Sequence, residues 1–342
     1  MEPTRTVARA LVAPGKGILA ADESHPTMAK RLAQVGLEST EERRRAYREI
    51  LLTTPGLSEH VSGVILYDET IRQSTGDGTP FPEVLARAGI IPGIKVDGGT
   101  TPLAGAPGEV VTQGLDGLRE RLAEYAGLGA RFAKWRAVIR IGPGTPSAAC
   151  VEANAHALAR YAALAQEAGL VPVVEPEVLM DGPHSLERCA SVTALTLRAV
   201  YDQLARQGVE LDATLLKPSM VLPGSDAEPV GDDVIADRTI AVLRDTVPAS
   251  VPGLVFLSGG QTPEQATARL DALNRRAPQP WELSFSFGRA LQAPVLRAWA
   301  GRAENTGAAQ AALLTRARLN GAARHGRYRP DMERQVAEAL PS

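Results

Sequence analysis

Ala213–Thr214–Leu215–Leu216–Lys217–Pro218 (ATLLKP) is an apolar run that ends in one lysine and is stopped at once by a proline. The run has strand character, and proline cannot extend a ladder, so Lys217 stands at the carboxyl end of a buried strand. Burial disfavours the ammonium form, and a free amine in such a place is a nucleophile for carbonyl carbon. The bland alternative is a buried stem whose charged head reaches water. The runs around Lys95 and Lys134 weigh against it, because each also sets a lysine among apolar residues. Cationic neighbours lower a lysine's proton affinity further and attract anionic substrates.

Working outward from Lys217, similar runs rich in Val, Ile, Leu and Phe recur along the chain. Eight are expected as strands: Gly17–Asp22, Gly63–Asp68, Gly93–Asp97, Arg131–Val138, Val171–Leu179, Ala213–Val221, Leu254–Ser258 and Leu283–Gly288. Stretches of helical period separate them, among them Thr40–Leu52, Gly117–Gly129, Ser147–Gly169, His184–Gly208, Asp233–Thr246 and Pro263–Arg276. Strand–helix alternation repeated eight times predicts an α/β protein built as a (β/α)8 TIM barrel, a single domain over 1–342 with a short tail from about 326. Two loops are rich in turn residues, Ser74–Pro82 and Val221–Val230, and Gly76–Asp77–Gly78 makes the first read as a hairpin. The Ala- and Arg-rich sequence from Ala290 onward reads as continuing helix until Gly326–Pro330.

Bulk properties narrow the function. Of 342 residues, 44% are hydrophobic and 22% charged, which allows a full core. Net charge is −2 and the basic residues are dispersed, so no footprint for nucleic acid exists. The polar stretch Met1–Arg9 and the lack of any long apolar run predict a cytoplasmic protein without membrane contact. Cys150 and Cys189 are too few for a disulfide framework or a cysteine zinc site, and the five histidines show no metal-ligand spacing.

In such a barrel the carboxyl ends of the strands build the site, so polar groups closing different strands converge. Asp22, Lys95, Asp97, Lys134, Arg136, Glu175, Glu177 and Lys217 occupy those ends. Residues two apart share a face of a strand, which places Lys134 with Arg136 and Glu175 with Glu177. So many charges are tolerable only if they compensate one another around a ligand. Ser258–Gly259–Gly260 after the seventh run and Ser286, Gly288 and Arg289 after the eighth read either as plain turns or as an anion cradle, since glycine lets backbone amides approach a phosphate. Lys30 reads as part of a solvated helix face, and Arg31 as part of the site.

Taken together, LVAPGKGILAADES (Leu11–Ser24), GIKVD (Gly93–Asp97), FAKWR (Phe132–Arg136), VEPE (Val174–Glu177), LLKP (Leu215–Pro218), LSGGQ (Leu257–Gln261) and SFGRALQA (Ser286–Ala293) closely resemble class I fructose-bisphosphate aldolases of the animal and plant type, in unbroken order from about Val7 to Tyr328. The resemblance implies a metal-independent, cofactor-free homotetrameric aldehyde-lyase of glycolysis and gluconeogenesis. Such an enzyme cleaves fructose 1,6-bisphosphate reversibly to dihydroxyacetone phosphate and glyceraldehyde 3-phosphate. It implies that Lys217 forms the Schiff base and that Glu175 is the acid/base carboxylate. Asp22 would hold the C4 hydroxyl, with the taker of its proton open between Asp22 and Glu175. Lys134 would set positive charge beside the reacting hydroxyls and Glu177 would orient the lysines. Ser258, Gly259, Gly260, Ser286, Gly288 and Arg289 would hold the C1 phosphate, and Arg31, Lys95 and Arg136 the C6-phosphate side.

Three stretches depart from the family pattern. His25–Pro26–Thr27 stands where a Thr-Gly-Ser segment is usual, Gly98 where a lysine is common, and no tyrosine follows Tyr328 where vertebrate members end in a tyrosine that assists proton exchange. Two alternatives stay open: a Schiff-base aldolase for sedoheptulose bisphosphate or fructose 1-phosphate, and a non-catalytic binding protein on the same fold.

Overall fold

Alternation along the strands decides what fills the interior. The computed structural model describes residues 2–333. In chain order the strands are β1 (Gly17–Ala21), β2 (Val61–Leu66), β3 (Ile91–Lys95), β4 (Thr100–Pro102), β5 (Val110–Thr112), β6 (Phe132–Ile139), β7 (Val171–Val178), β8 (Leu215–Leu216), β9 (Gly253–Phe256) and β10 (Glu282–Phe287). Eight of them close a barrel in the order β1-β10-β9-β8-β7-β6-β3-β2, every pair parallel, while β4 and β5 form a small antiparallel pair outside it.

Inward positions are Ile18 and Ala20 on β1, Ile65 on β2, Phe132 on β6, Val171 and Val173 on β7, Leu215 on β8 and Val255 on β9, and they pack as one internal cluster. Outward positions such as Ala133, Trp135 and Val174 join a second cluster against the helices, where Trp135 stacks on Tyr161 with ring centroids 5.6 Å apart. The same alternation, continued past the apolar layer, turns Asp22, Lys134, Glu175 and Lys217 into the lumen. The apolar half of the barrel is therefore filled, and the charged half is left to face a ligand.

The amino end of the barrel is plugged by a helix, Glu2–Leu11, that the polar stretch Met1–Arg9 did not suggest. Its Ala8 and Leu11, with Val12, complete the internal cluster. Arg5 fastens it by ion pairs to Glu210 at 2.5 Å and Asp212 at 2.8 Å. From the far end of the chain, buried Arg324 donates to the carbonyls of Val12 (2.9 Å), Lys16 (3.1 Å) and Leu283 (2.6 Å). Small residues make room for this filling. A Cβ on Gly93 would lie 2.3 Å from the ring of Phe132, which is fully buried and cannot yield. Gly93→Ala is expected to cost about 1–3 kcal/mol by overpacking, read as a lower urea midpoint at unchanged slope.

The observed elements differ from the expected ones in five places. The run Ala213–Val221 pairs only over Leu215–Leu216, because a 3-10 turn at Leu211–Ala213 precedes it and Pro218 ends it. Asp68 opens a short helix, Asp68–Ile71, instead of closing β2. Ser74–Pro82 holds one antiparallel bridge, Ser74 to Pro80, and no hairpin, since Phe81 already starts the helix Phe81–Arg87. The hairpin is instead β4–β5, whose strands are too short and exposed to stand out by composition. The carboxyl-terminal helix is two helices, Arg289–Trp299 and Thr306–Arg324, broken where Ala300 and Gly301 take positive φ of 47° and 76°. Of the expected tail, residues 334–342 lie outside the described residues. Among the described residues no helix is long and apolar enough to cross a membrane.

Candidate active site

Four charged side chains from four strand ends form an unbroken chain in the lumen. Lys134 Nζ lies 2.6 Å from Asp22 Oδ2 and 3.2 Å from Glu175 Oε2, and Lys217 Nζ lies 3.1 Å from Glu175 Oε1. Lys134, Glu175 and Lys217 are 3–4% exposed. The register explains the meeting. Arg136 pairs with Glu175 and Val173 with Leu215, while the Lys217 amide donates to the Val174 carbonyl at 2.8 Å. Lys134 and Glu175 on neighbouring strands, and Lys217 one inward step beyond Leu215, thus reach one level.

The electrostatics follow from burial opposed by pairing. Burial works to neutralise Asp22, but Lys134 and Lys217, helped by Lys95, outweigh it and hold the carboxyl far below the usual carboxylate range. Burial likewise opposes charge on Lys134, yet Asp22 and Glu175, with Asp97, outweigh it and keep the ammonium above the ordinary lysine range. Asp22 is therefore a fixed anion and Lys134 a fixed cation at neutral pH.

Around this chain opens a cleft of about 1030 Å³. Lys95 is held by Asp97, with Nζ 2.6 Å from Oδ1 and 2.7 Å from the Asp97 carbonyl. Asp97 Oδ2 also accepts from the Arg136 amide at 3.2 Å, so one carboxylate sets both cationic strands. The Arg136 side chain pairs with Glu177, whose other oxygen stands close to Gly259: a Cβ there would meet Oε1 at 2.8 Å and push the carboxylate aside. Arg31 pairs with Glu23.

The same cleft is lined by Ser258, Gly259, Ser286, Gly288 and Arg289. Ser286 is 1% exposed and its Oγ has no hydrogen-bond partner among the described residues. Gly288 caps the helix Arg289–Trp299, so its amino end opens on this cleft. A buried unpartnered hydroxyl beside a helix amino terminus suits an anion with acceptor oxygens.

Of the residues expected in the site, all line this cleft except Gly260. That glycine, at φ 74°, sits against Met180 and a smaller neighbouring cavity; it shapes the turn and leaves contact to Gly259. Lys30, expected on a solvated face, lines the cleft, as do Gln34, Tyr67 and Arg297. Lys30, Arg289 and Arg297 make no ion pair among the described residues, which leaves positive charge for an anionic ligand. Lys30 remains exposed, so it borders the cleft from the solvated face expected of it. Among the described residues no group of three or more His, Cys, Asp or Glu side chains is arranged to hold a metal ion.

Comparison with known proteins agrees with this geometry. The family described as fructose-bisphosphate aldolase class-I matches residues 4–340. A relative from Xylella fastidiosa named probable fructose-bisphosphate aldolase class 1 is 57% identical over 331 residues, 96% of this chain and 99% of its own. Fructose-bisphosphate aldolase 6, cytosolic, of Arabidopsis thaliana is 54% identical, covering 93% of this chain and 89% of its own. A solved structure of fructose-bisphosphate aldolase from Plasmodium falciparum, in complex with TRAP and a small-molecule inhibitor, superposes with a TM-score of 0.95 at 47% identity, covering 96% of this chain and 95% of that one. An eight-stranded barrel with a buried lysine–carboxylate chain at its open end, matched at this identity over nearly its whole length, belongs to the class I fructose-bisphosphate aldolase family.

Proposed function

We propose that Lys217 is the amine through which this aldolase works on fructose 1,6-bisphosphate, and that Glu175 moves its protons. The observation that carries the assignment is the place of Glu175, buried between two lysines and within hydrogen-bond distance of each, at 3.1 Å from Lys217 and 3.2 Å from Lys134. The unprotonated Lys217 nitrogen adds to the C2 ketone, and loss of water from the carbinolamine leaves a protonated imine. Glu175 supplies the proton that departs with the hydroxyl. The C3–C4 bonding pair then flows into the imine to give an enamine, C4 becomes the aldehyde carbon, and its hydroxyl proton passes to a carboxylate.

Asp22 is held too far below the ordinary carboxylate range to store that proton well, so it orients the C4 hydroxyl and Glu175 takes the proton. Lys134, kept cationic by both carboxylates, offsets the negative charge growing on that oxygen. Protonation of the enamine at C3 and hydrolysis of the imine release dihydroxyacetone phosphate and restore Lys217. One phosphate would rest on Ser258, Gly259, Ser286, Gly288 and Arg289, and the other on Arg31, Lys95 and Arg136. The proposal takes the chain as one barrel domain, a homotetramer at work in the cytoplasm; the Arabidopsis relative has cytosolic in its name.

Incubation with dihydroxyacetone phosphate and borohydride is expected to leave a stable adduct on the peptide that holds Leu215–Pro218, located by mass spectrometry. An adduct on Lys134 or Lys95 instead would overturn the assignment.

A further inference from the structure

Arg48 is among the largest fully enclosed side chains of the protein, 2% exposed, although the helix that carries it, Glu41–Leu52, has a charged outer face. Its Nη2 forms an ion pair with Glu23 Oε2 at 2.7 Å, out of line for a hydrogen bond, and donates to the Glu23 carbonyl at 3.5 Å, while its Nη1 has no hydrogen-bond partner among the described residues. The other oxygen, Glu23 Oε1, accepts from Gln292 Nε2 at 2.8 Å and from Arg31. Gln292 is itself pinned by the Ala20 carbonyl at 2.7 Å, and Tyr47 donates to its carbonyl at 3.3 Å. Glu23 thus has one oxygen committed to a guanidinium in the core and one shared between a glutamine and a guanidinium of the cleft. A guanidinium that neither reaches the cleft nor satisfies its own donors is a poor device for stability, because well-packed apolar groups usually match buried ion pairs.

We propose that Arg48 is a positioning residue for Arg31. By occupying Glu23 Oε2 it keeps Arg31 from closing on both oxygens in the two-pronged mode that arginine and carboxylate prefer. Arg31 then remains tethered by one oxygen, its remaining donors turned to the cleft for the second phosphate of a bisphosphate substrate. Without Arg48, Glu23 captures Arg31 fully and withdraws it from the ligand. The inference rests on the proposed reading of Arg31 as part of the C6-phosphate side.

The test compares fructose 1,6-bisphosphate with fructose 1-phosphate, which lacks the phosphate concerned. Arg48→Met should raise KM for the bisphosphate about tenfold, the worth of one charge-assisted contact, with kcat at saturation and all constants for the monophosphate unchanged. Arg48→Lys, whose ammonium still occupies Oε2, should restore most of the lost affinity. A merely structural Arg48 would instead lower activity toward both substrates in proportion, and that result overturns the proposal. Arg31→Ala separates the two claims. If it lowers bisphosphate preference while Arg48→Met does not, the positioning role fails; if Arg31→Ala itself leaves the preference intact, the reading of Arg31 fails and the inference with it. Should Arg48→Met not fold, Arg48→Gln, whose amide is too short to hold Oε2, must show the same shift in KM, or the proposal is refuted.

Discussion

A Lys217→Met protein is expected to lose cleavage of fructose 1,6-bisphosphate by at least about 10⁴-fold in kcat, the scale seen when an essential nucleophile is removed. Methionine keeps the length and the apolar stem and deletes only the amine. The barrel should survive, because Glu175, the carboxylate left behind, still has Lys134 at 3.2 Å to compensate its charge. Loss of activity with an unchanged thermal midpoint would therefore report chemistry and not folding. Steady-state turnover measured beside thermal unfolding checks this, and a variant within tenfold of the parent rate would mean that another amine carries the imine.

Lys134→Met should behave differently, because Glu175 keeps Lys217 at 3.1 Å while Asp22 loses the cation in contact with it. Among the described residues Asp22 has Lys134 as its one contact ion, at 2.6 Å, and the loss leaves it buried with the more distant Lys217 and Lys95 to offset burial. Removing one partner of a buried pair costs about 3–5 kcal/mol, so this variant should be both unstable and catalytically poor. The pH dependence has a definite sign. Asp22 is depressed in the folded protein, so its pairing stabilises the fold fully above the unfolded carboxylate value of 3.8 and loses that effect as pH falls toward the folded value. Lys134 is raised, so its share is complete below the unfolded lysine value of 10.5 and fades only as pH climbs through the folded one. The stability gap between parent and variant should be widest near neutrality and narrow as pH drops below about 4. Urea midpoints at pH 7 and pH 3 measure it, and a gap that widens in acid would sink the account.

How far the sequence foretells this site follows from where each residue sits. Lys217, Lys134, Glu175 and Asp22 close apolar runs, and the two-residue period of a strand carries them inward with no further information. Ser286 and Gly288 are legible by the same rule and Gly259 keeps the parity of inward Val255, whereas Ser258 and Gly260 lie past the strand on the other parity, where the turn decides that only Ser258 borders the cleft. Arg48 hides in a charged helix, yet it stands three and four residues before Leu51 and Leu52 on the buried face, and that spacing was the available signal. Lys30 is exposed as its place on a charged helix suggests, and that it also borders the cleft is a tertiary fact no local pattern encodes. The amino-terminal plug was missed because only Thr4, Ala8 and Leu11 are buried in it, too sparse a stripe to register as helix among polar neighbours.

Closure of the ring depends on β1 pairing with β10, through Ile18 with Ser286 and Leu19 with Phe287. A nascent chain that has emerged only as far as β9 already contains Asp22, Lys134, Glu175 and Lys217, but β1 and β9 both present open hydrogen-bonding edges. Synthesis of the final strand is what seals those edges, so a barrel one strand short stays open to edge pairing until β10 emerges.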